Sequence, residues 1–132
     1  MKSLNLFLLL VAVLTTAACG RTPSIEGKWA VDIDETVKTA MDAGIPMLPT
    51  RRIHEVYDGG QLEITGDILV MRVAGYPDAI SRNYTIISAT GNCYGLEING
   101  SQGVHKYCVD RGRLTVDDPN ANLRLIYRQA SR

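Results

Sequence analysis

Cys93 and Cys108 constrain this chain more than any other pair of residues. Each sits in a stretch of strand-like alternation, Cys93 to Ile98 and Val104 to Val109, and between them lies Asn99-Gly100-Ser101-Gln102. Those are residue types that turn the chain. If the two cysteines face each other, the hairpin midpoint falls between Gly100 and Ser101. Glycine at the first of two turn positions suits a type II′ turn. Turn chemistry and cysteine spacing thus predict one register independently. In that register Tyr94, Leu96 and Ile98 share a face with Tyr107, His105 and Gly103. The cysteines share the other face with Glu97 and Lys106. The apolar face is the expected core, which puts a Cys93–Cys108 disulfide on the outer surface of the hairpin. Closing so short a loop contributes on the order of 3 kcal/mol. Metal binding by the pair is the lesser reading, because no CxxC spacing or histidine cluster accompanies it.

The rest of the chain repeats the strand-and-turn pattern. Trp29, Val31 and Ile33 alternate with polar or small residues at the start. Strands are expected at Gln61 to Thr65, Ile68 to Ala74, Asn83 to Ala89, Arg113 to Val116 and Leu123 to Arg128. Short connections imply antiparallel hairpins in a meander. Two stretches differ. Asp34 to Gly44 reads as a helix, with Asp34 as N-cap, an apolar stripe of Val37, Ala40 and Met41, and Gly44 as the stop. Thr50 to Asp58 reads as a second short helix capped by Thr50 and ended by Gly59-Gly60, with a strand as the alternative. Ile45-Pro46-Met47-Leu48-Pro49 between them is expected to be irregular. The fold class is therefore all-β with one or two short helices, the helix inserted after the first strand. Closing the meander into a barrel removes the two edges a flat sheet would leave.

The N-terminus sets the compartment. One lysine, an apolar run from Leu4 to Leu14 and the small residues before Cys19 make a secretory signal. A cysteine directly after Thr16-Ala17-Ala18 resembles a bacterial lipoprotein signal. The resemblance implies cleavage before Cys19, a lipid on its sulfur and an acylated amino terminus. Residues 1–18 are then the signal peptide, 19–24 a tether and 25–132 one domain. Gly20 after the cysteine, by the same resemblance, implies an outer-membrane address with the domain facing the periplasm. That compartment is oxidising, as the disulfide requires. The whole chain has 14 Lys plus Arg and 14 Asp plus Glu. Lys2 is the only charged residue before Cys19, leaving 13 basic against 14 acidic side chains. No basic excess supports nucleic-acid binding.

Gly27-Lys28-Trp29 resembles the Gly-x-Trp element of the lipocalins and related calycin barrels. The succession from that motif, through a helix, to a meander ending in Leu123-Arg124-Leu125-Ile126-Tyr127-Arg128 is similar to small bacterial lipocalin-like domains. The resemblance implies that Trp29 packs across the barrel base near an arginine of the last strand, either Arg124 or Arg128.

Catalytic signals are few. No nucleophile elbow, Ser-x-x-Lys or phosphate loop occurs. His54 reads as a solvated residue and His105 as a hydrogen-bonded core histidine. Asp32, Asp34 and Glu35 are near enough for acid–base work, but helix capping explains them more simply. The chain is thus read as non-enzymatic, with no metal and no cofactor. Tyr84, Tyr94, Tyr107 and Tyr127 fall on apolar strand faces. Tyr76 lies in a loop, and Ile45, Met47 and Leu48 are apolar in another. These four form the candidate binding surface, unless the second loop simply packs over the barrel mouth. The expected function is protein interaction, as a secretion-system pilot, an inhibitor or an immunity protein. The alternative is carriage of a small hydrophobic ligand, which needs an open apolar cavity.

Overall fold

The alternating segments form eight strands: β1 (Gly27–Val31), β2 (Gln61–Ile64), β3 (Ile68–Arg72), β4 (Ile80–Thr90), β5 (Cys93–Ile98), β6 (Val104–Asp110), β7 (Arg113–Asp118) and β8 (Leu123–Gln129). Each pairs antiparallel with the next, and β8 returns to β1, closing a barrel. Helices α1 (Ile33–Asp42) and α2 (Met47–Tyr57) are inserted between β1 and β2. The computed structural model describes residues 22–45 and 47–130, and for Met47 and Leu48 the backbone alone. Cys19, with the expected signal and half of the tether, lies outside those residues.

Side chains fill the barrel. Leu62, Ile64, Leu69, Leu96 and Leu114 are fully buried, and Trp29, Tyr84, Tyr107 and Tyr127 pack around them. Such alternation, inward residues apolar and outward ones polar, is what a closed small barrel demands. The Trp29 indole N–H donates to the carbonyl of Ile25 at 2.9 Å. Ile25 is buried, so the segment before β1 stoppers the lower end of the barrel. Neither arginine expected beside Trp29 goes there. Arg124 and Arg128 lie on the outer face, half exposed and held by Asp117 and Asp32. Their strand positions alternate with the inward Leu125 and Tyr127, so the pleat turns them out.

The helices correct the sequence reading at their starts. Ile33 is the first residue of α1 rather than a strand residue, and the cap is Asp32, not Asp34. Pairing between β1 and β8 ends at Val31↔Tyr127. The chain then peels away, and the Asp32 carboxylate accepts the Glu35 N–H at 3.1 Å. α1 lies along the outer face of β8. There the buried Thr36 hydroxyl accepts the Ile126 N–H at 3.0 Å, and Asp32 N–H donates to the Ile126 carbonyl at 2.8 Å. Thr36 thus does for β8 what a longer β1 would have done. Of the expected stripe, Ala40 is buried and Met41 is exposed. α2 begins at Met47, so the stretch from Met47 to Pro49 is helical and Thr50 is not a cap. Pro49 is tolerated because first-turn N–H groups have no intrahelical acceptor. Gly59, at φ +73°, ends α2 as expected.

The hairpin register is the one the cysteines imply, with Cys93↔Cys108, Leu96↔His105 and Glu97↔Val104 paired. The Cys93–Cys108 disulfide is formed. The tip differs. Ser101 N–H bonds the Ile98 carbonyl, and Gly100 at the third turn position has φ +81°. That is the type II arrangement within a longer loop, not a two-residue type II′ turn. The Asn99 N–H goes to Asn83 on β4 instead of crossing to β6, so the hairpin opens at its end.

β4 changes partners midway. Its first half, Ile80 to Asn83, pairs with β3, and its second half, Tyr84 to Thr90, pairs with β5 across a bulge at Ile86/Ser88. The second half therefore projects past the β2–β3 turn as an arm of the β4–β5 hairpin.

Candidate functional site

The upper end of the barrel gathers the helices and the β3–β4, β5–β6 and β7–β8 loops. One of its depressions lies outside the barrel. The C-terminus of α1 closes with Gly44 N–H on the Met41 carbonyl and Ile45 N–H on the Ala40 carbonyl, Gly44 having φ +87°. These are the two bonds of a Schellman motif. They turn Ile45, half buried, toward the sheet. A groove of about 560 Å³ runs between Ile45 and the small α1 residues Thr39 and Ala43 on one side, and Val104, Pro119 and Leu123 on the other. Val104, the first residue of β6, is 50% exposed. It also borders a depression over the β4–β5–β6 outer face, where the Ser88, Val104 and Ile87 side chains close over Gly95.

Charge edges the groove at defined points. Arg124 grips Asp117 through two bonds, of 2.7 and 2.9 Å. The hydrogen bond and charge of Asp117 push the guanidinium pKa up. Lys106 stands opposite Asp117 on the neighbouring strand. The groove thus combines apolar side chains of α1 and the loops with a row of Lys106, Asp117 and Arg124 across β6–β8, the mixture of apolar and polar groups found in protein-recognition patches.

A polar network holds the two loops above it. Ser101 Oγ and His105 Nε2 share a hydrogen bond of 3.0 Å, and His105 Nδ1 lies 3.8 Å from Asp118 Oδ1. Asn120 donates its side-chain amide to Ser101 Oγ and to the Gln102 carbonyl, and its backbone N–H to Asp118. The order Asp118–His105–Ser101 has the residue types of a hydrolase triad. The geometry suits a latch instead. The carboxylate–imidazole distance exceeds a hydrogen bond. Ser101 Oγ already accepts from Asn120, and the Ser101 N–H is committed to Ile98 rather than free for an oxyanion. Among the described residues no group of three or more His, Cys, Asp and Glu could hold a metal ion.

The sequence-expected residues fare unevenly. Ile45 lines the groove. Tyr76 is 66% exposed on the β3–β4 loop and is not part of it. The side chains of Met47 and Leu48 lie outside the described residues. Asp32 caps α1 and bonds Arg128 at 3.0 Å, and Glu35 lies 3.9 Å from Arg113. Asp32 and Glu35 are thus engaged in the fold, while Asp34 is exposed in the first turn of α1. Burial alone would raise the Asp32 pKa, but the Glu35 N–H and the Arg128 and Arg113 charges together hold it below the usual carboxylate range. His54 is exposed and His105 buried, as expected. Sequence reasoning missed Val104, Pro119 and the Asn120 latch. Val104 was within reach, since the cysteine register already places it on the outer face opposite Glu97.

Comparison with protein-family models, with curated proteins and with solved structures returns no match.

Proposed function

We propose that this chain is an outer-membrane lipoprotein, anchored through Cys19 and related to the lipocalin-like barrels. It acts in the periplasm by binding another protein at the groove between α1 and the outer face of β6–β8. Pilot, inhibitor and immunity roles all need only such a surface. The observation that carries the reading is the contrast between inside and outside. The interior is occupied by fully buried leucines and by tyrosines, while a partly apolar groove with a half-exposed valine lies on the exterior. A carrier of hydrophobic ligands would need the reverse. Exposed apolar groups gathered in one depression of a small domain mark interaction sites.

The test is site-specific photo-crosslinking in living cells. A crosslinking residue at Val104 should capture one discrete protein. The same residue at Lys28, exposed on the far side of the barrel, should not. Equal capture from both positions, or none from Val104, would defeat the proposal.

A further inference from the structure

The β4–β5 hairpin carries an unexplained surface of its own. From Thr85 to Asn92 every residue of the β4–β5 arm is exposed, including Ile86 at 45% and Ile87 at 48%. Among the described residues, β4 beyond Asn83 has a strand partner on one side only. Isoleucines held out in a projecting arm cost solubility unless something covers them. No residue from Asn83 to Leu96 is charged, so the arm can enter an apolar phase without desolvating an ion.

The chain's own path says what lies against it. Tyr94, two residues past the arm's turn, donates its hydroxyl to the Thr22 carbonyl at 3.0 Å. Thr22 is the first described residue, and only Gly20 and Arg21 separate it from Cys19. Three residue steps span at most about 10 Å. A lipid on Cys19 therefore draws the membrane surface to within about 10 Å of the arm's base.

We propose that the β4–β5 arm is a membrane-contact element, with Ile86 and Ile87 seated in the headgroup–acyl boundary of the leaflet that holds the lipid. The inference rests on the lipidation of Cys19 and goes beyond it by naming a second contact with the bilayer. The arm lies on the bilayer. Charged groups at the same end, Asp110 and the almost fully exposed Arg111 on the β6–β7 turn and Glu26 and Asp67 nearby, remain at headgroup level. Such shallow seating of apolar groups beside a lipid anchor is a second signal of the kind that makes anchoring stable.

The experiment uses the full lipoprotein in vesicles of phosphatidylethanolamine and phosphatidylglycerol. A nitroxide is placed at Ile87→Cys, with Tyr76→Cys as the control at the opposite end. Collision with oxygen, enriched in lipid, is compared with collision with an aqueous nickel chelate. The Ile87 label should be shielded from nickel several-fold relative to the Tyr76 label, and it should lose that shielding in the vesicle-free Cys19→Ser protein. An Ile87 label as open to nickel as the Tyr76 label, on vesicle-bound protein, overturns the proposal. Shielding that persists without vesicles and grows with protein concentration also overturns it, by showing a second copy paired along β4. The mass of the N-terminal peptide is read on the same sample. Absence of acyl mass on Cys19 defeats the anchoring premise itself, a failure distinct from that of the arm.

Discussion

At the scale of single residues, Asp32 does three jobs that the sequence distributes over its neighbours. It ends β1, caps α1 and receives Arg128. Its pKa is lowered, so its stabilising contribution is present above the unfolded-state value of about 3.9. That contribution is lost as pH falls through the lower folded-state value. Asp32→Asn keeps a capping side chain but cannot titrate, and should flatten the acid limb of stability against pH below about pH 4. Denaturant melts across that range would show it, and an unchanged limb would assign acid sensitivity elsewhere. Asp32→Ala should cost about 1 kcal/mol at neutral pH through the cap. Trp29→Ala removes the largest side chain of the barrel base and should cost about 3–5 kcal/mol. A loss below roughly 1 kcal/mol would mean that Ile25 and Trp29 do not close the barrel.

At the scale of elements, the seam between β8 and β1 is the point to test. Thr36→Val keeps shape but leaves the buried Ile126 N–H without its acceptor, at a cost of about 1–3 kcal/mol. Hydrogen exchange at Ile126 should accelerate in the variant. Removing the disulfide by Cys93→Ser with Cys108→Ser should cost about 3 kcal/mol without changing the barrel, as denaturant titration and near-ultraviolet dichroism would report.

These two elements also mark what could be read from the chain. The β5–β6 register was legible because two cysteines and a period-2 pattern agreed. The strands and their succession were legible for the same reason. The cap of α1 was not, because Asp32 and Asp34 are equivalent in composition and only the end of pairing with β8 chooses between them. The start of α2 was hidden by reading Pro49 as a breaker, when a first-turn proline costs a helix little. The hairpin tip was misjudged because β4, remote in sequence, takes the Asn99 N–H. The groove was the least legible feature. It forms where α1 is laid on β8 by one threonine hydroxyl, a contact across most of the chain.

At the scale of the whole molecule, the barrel has two ends of different character. The segment carrying Thr22 and the uncharged arm leave from one end. The helices and the latched loops occupy the other. A filled barrel of this size works as a rigid support, and what it supports is the pattern on its outer face. The central claim is that recognition happens at the groove around Val104 and not in the barrel interior. Val104→Glu places a carboxylate on the wall of the groove without touching the core, because Val104 points outward and is half exposed. The most direct measurement is the affinity of the purified Val104→Glu domain for the protein captured at that position, read beside its melting temperature. The account predicts binding weakened at least about tenfold, the order expected for an apolar interface contact, with melting essentially unchanged. Wild-type affinity in a normally folded Val104→Glu variant would contradict it.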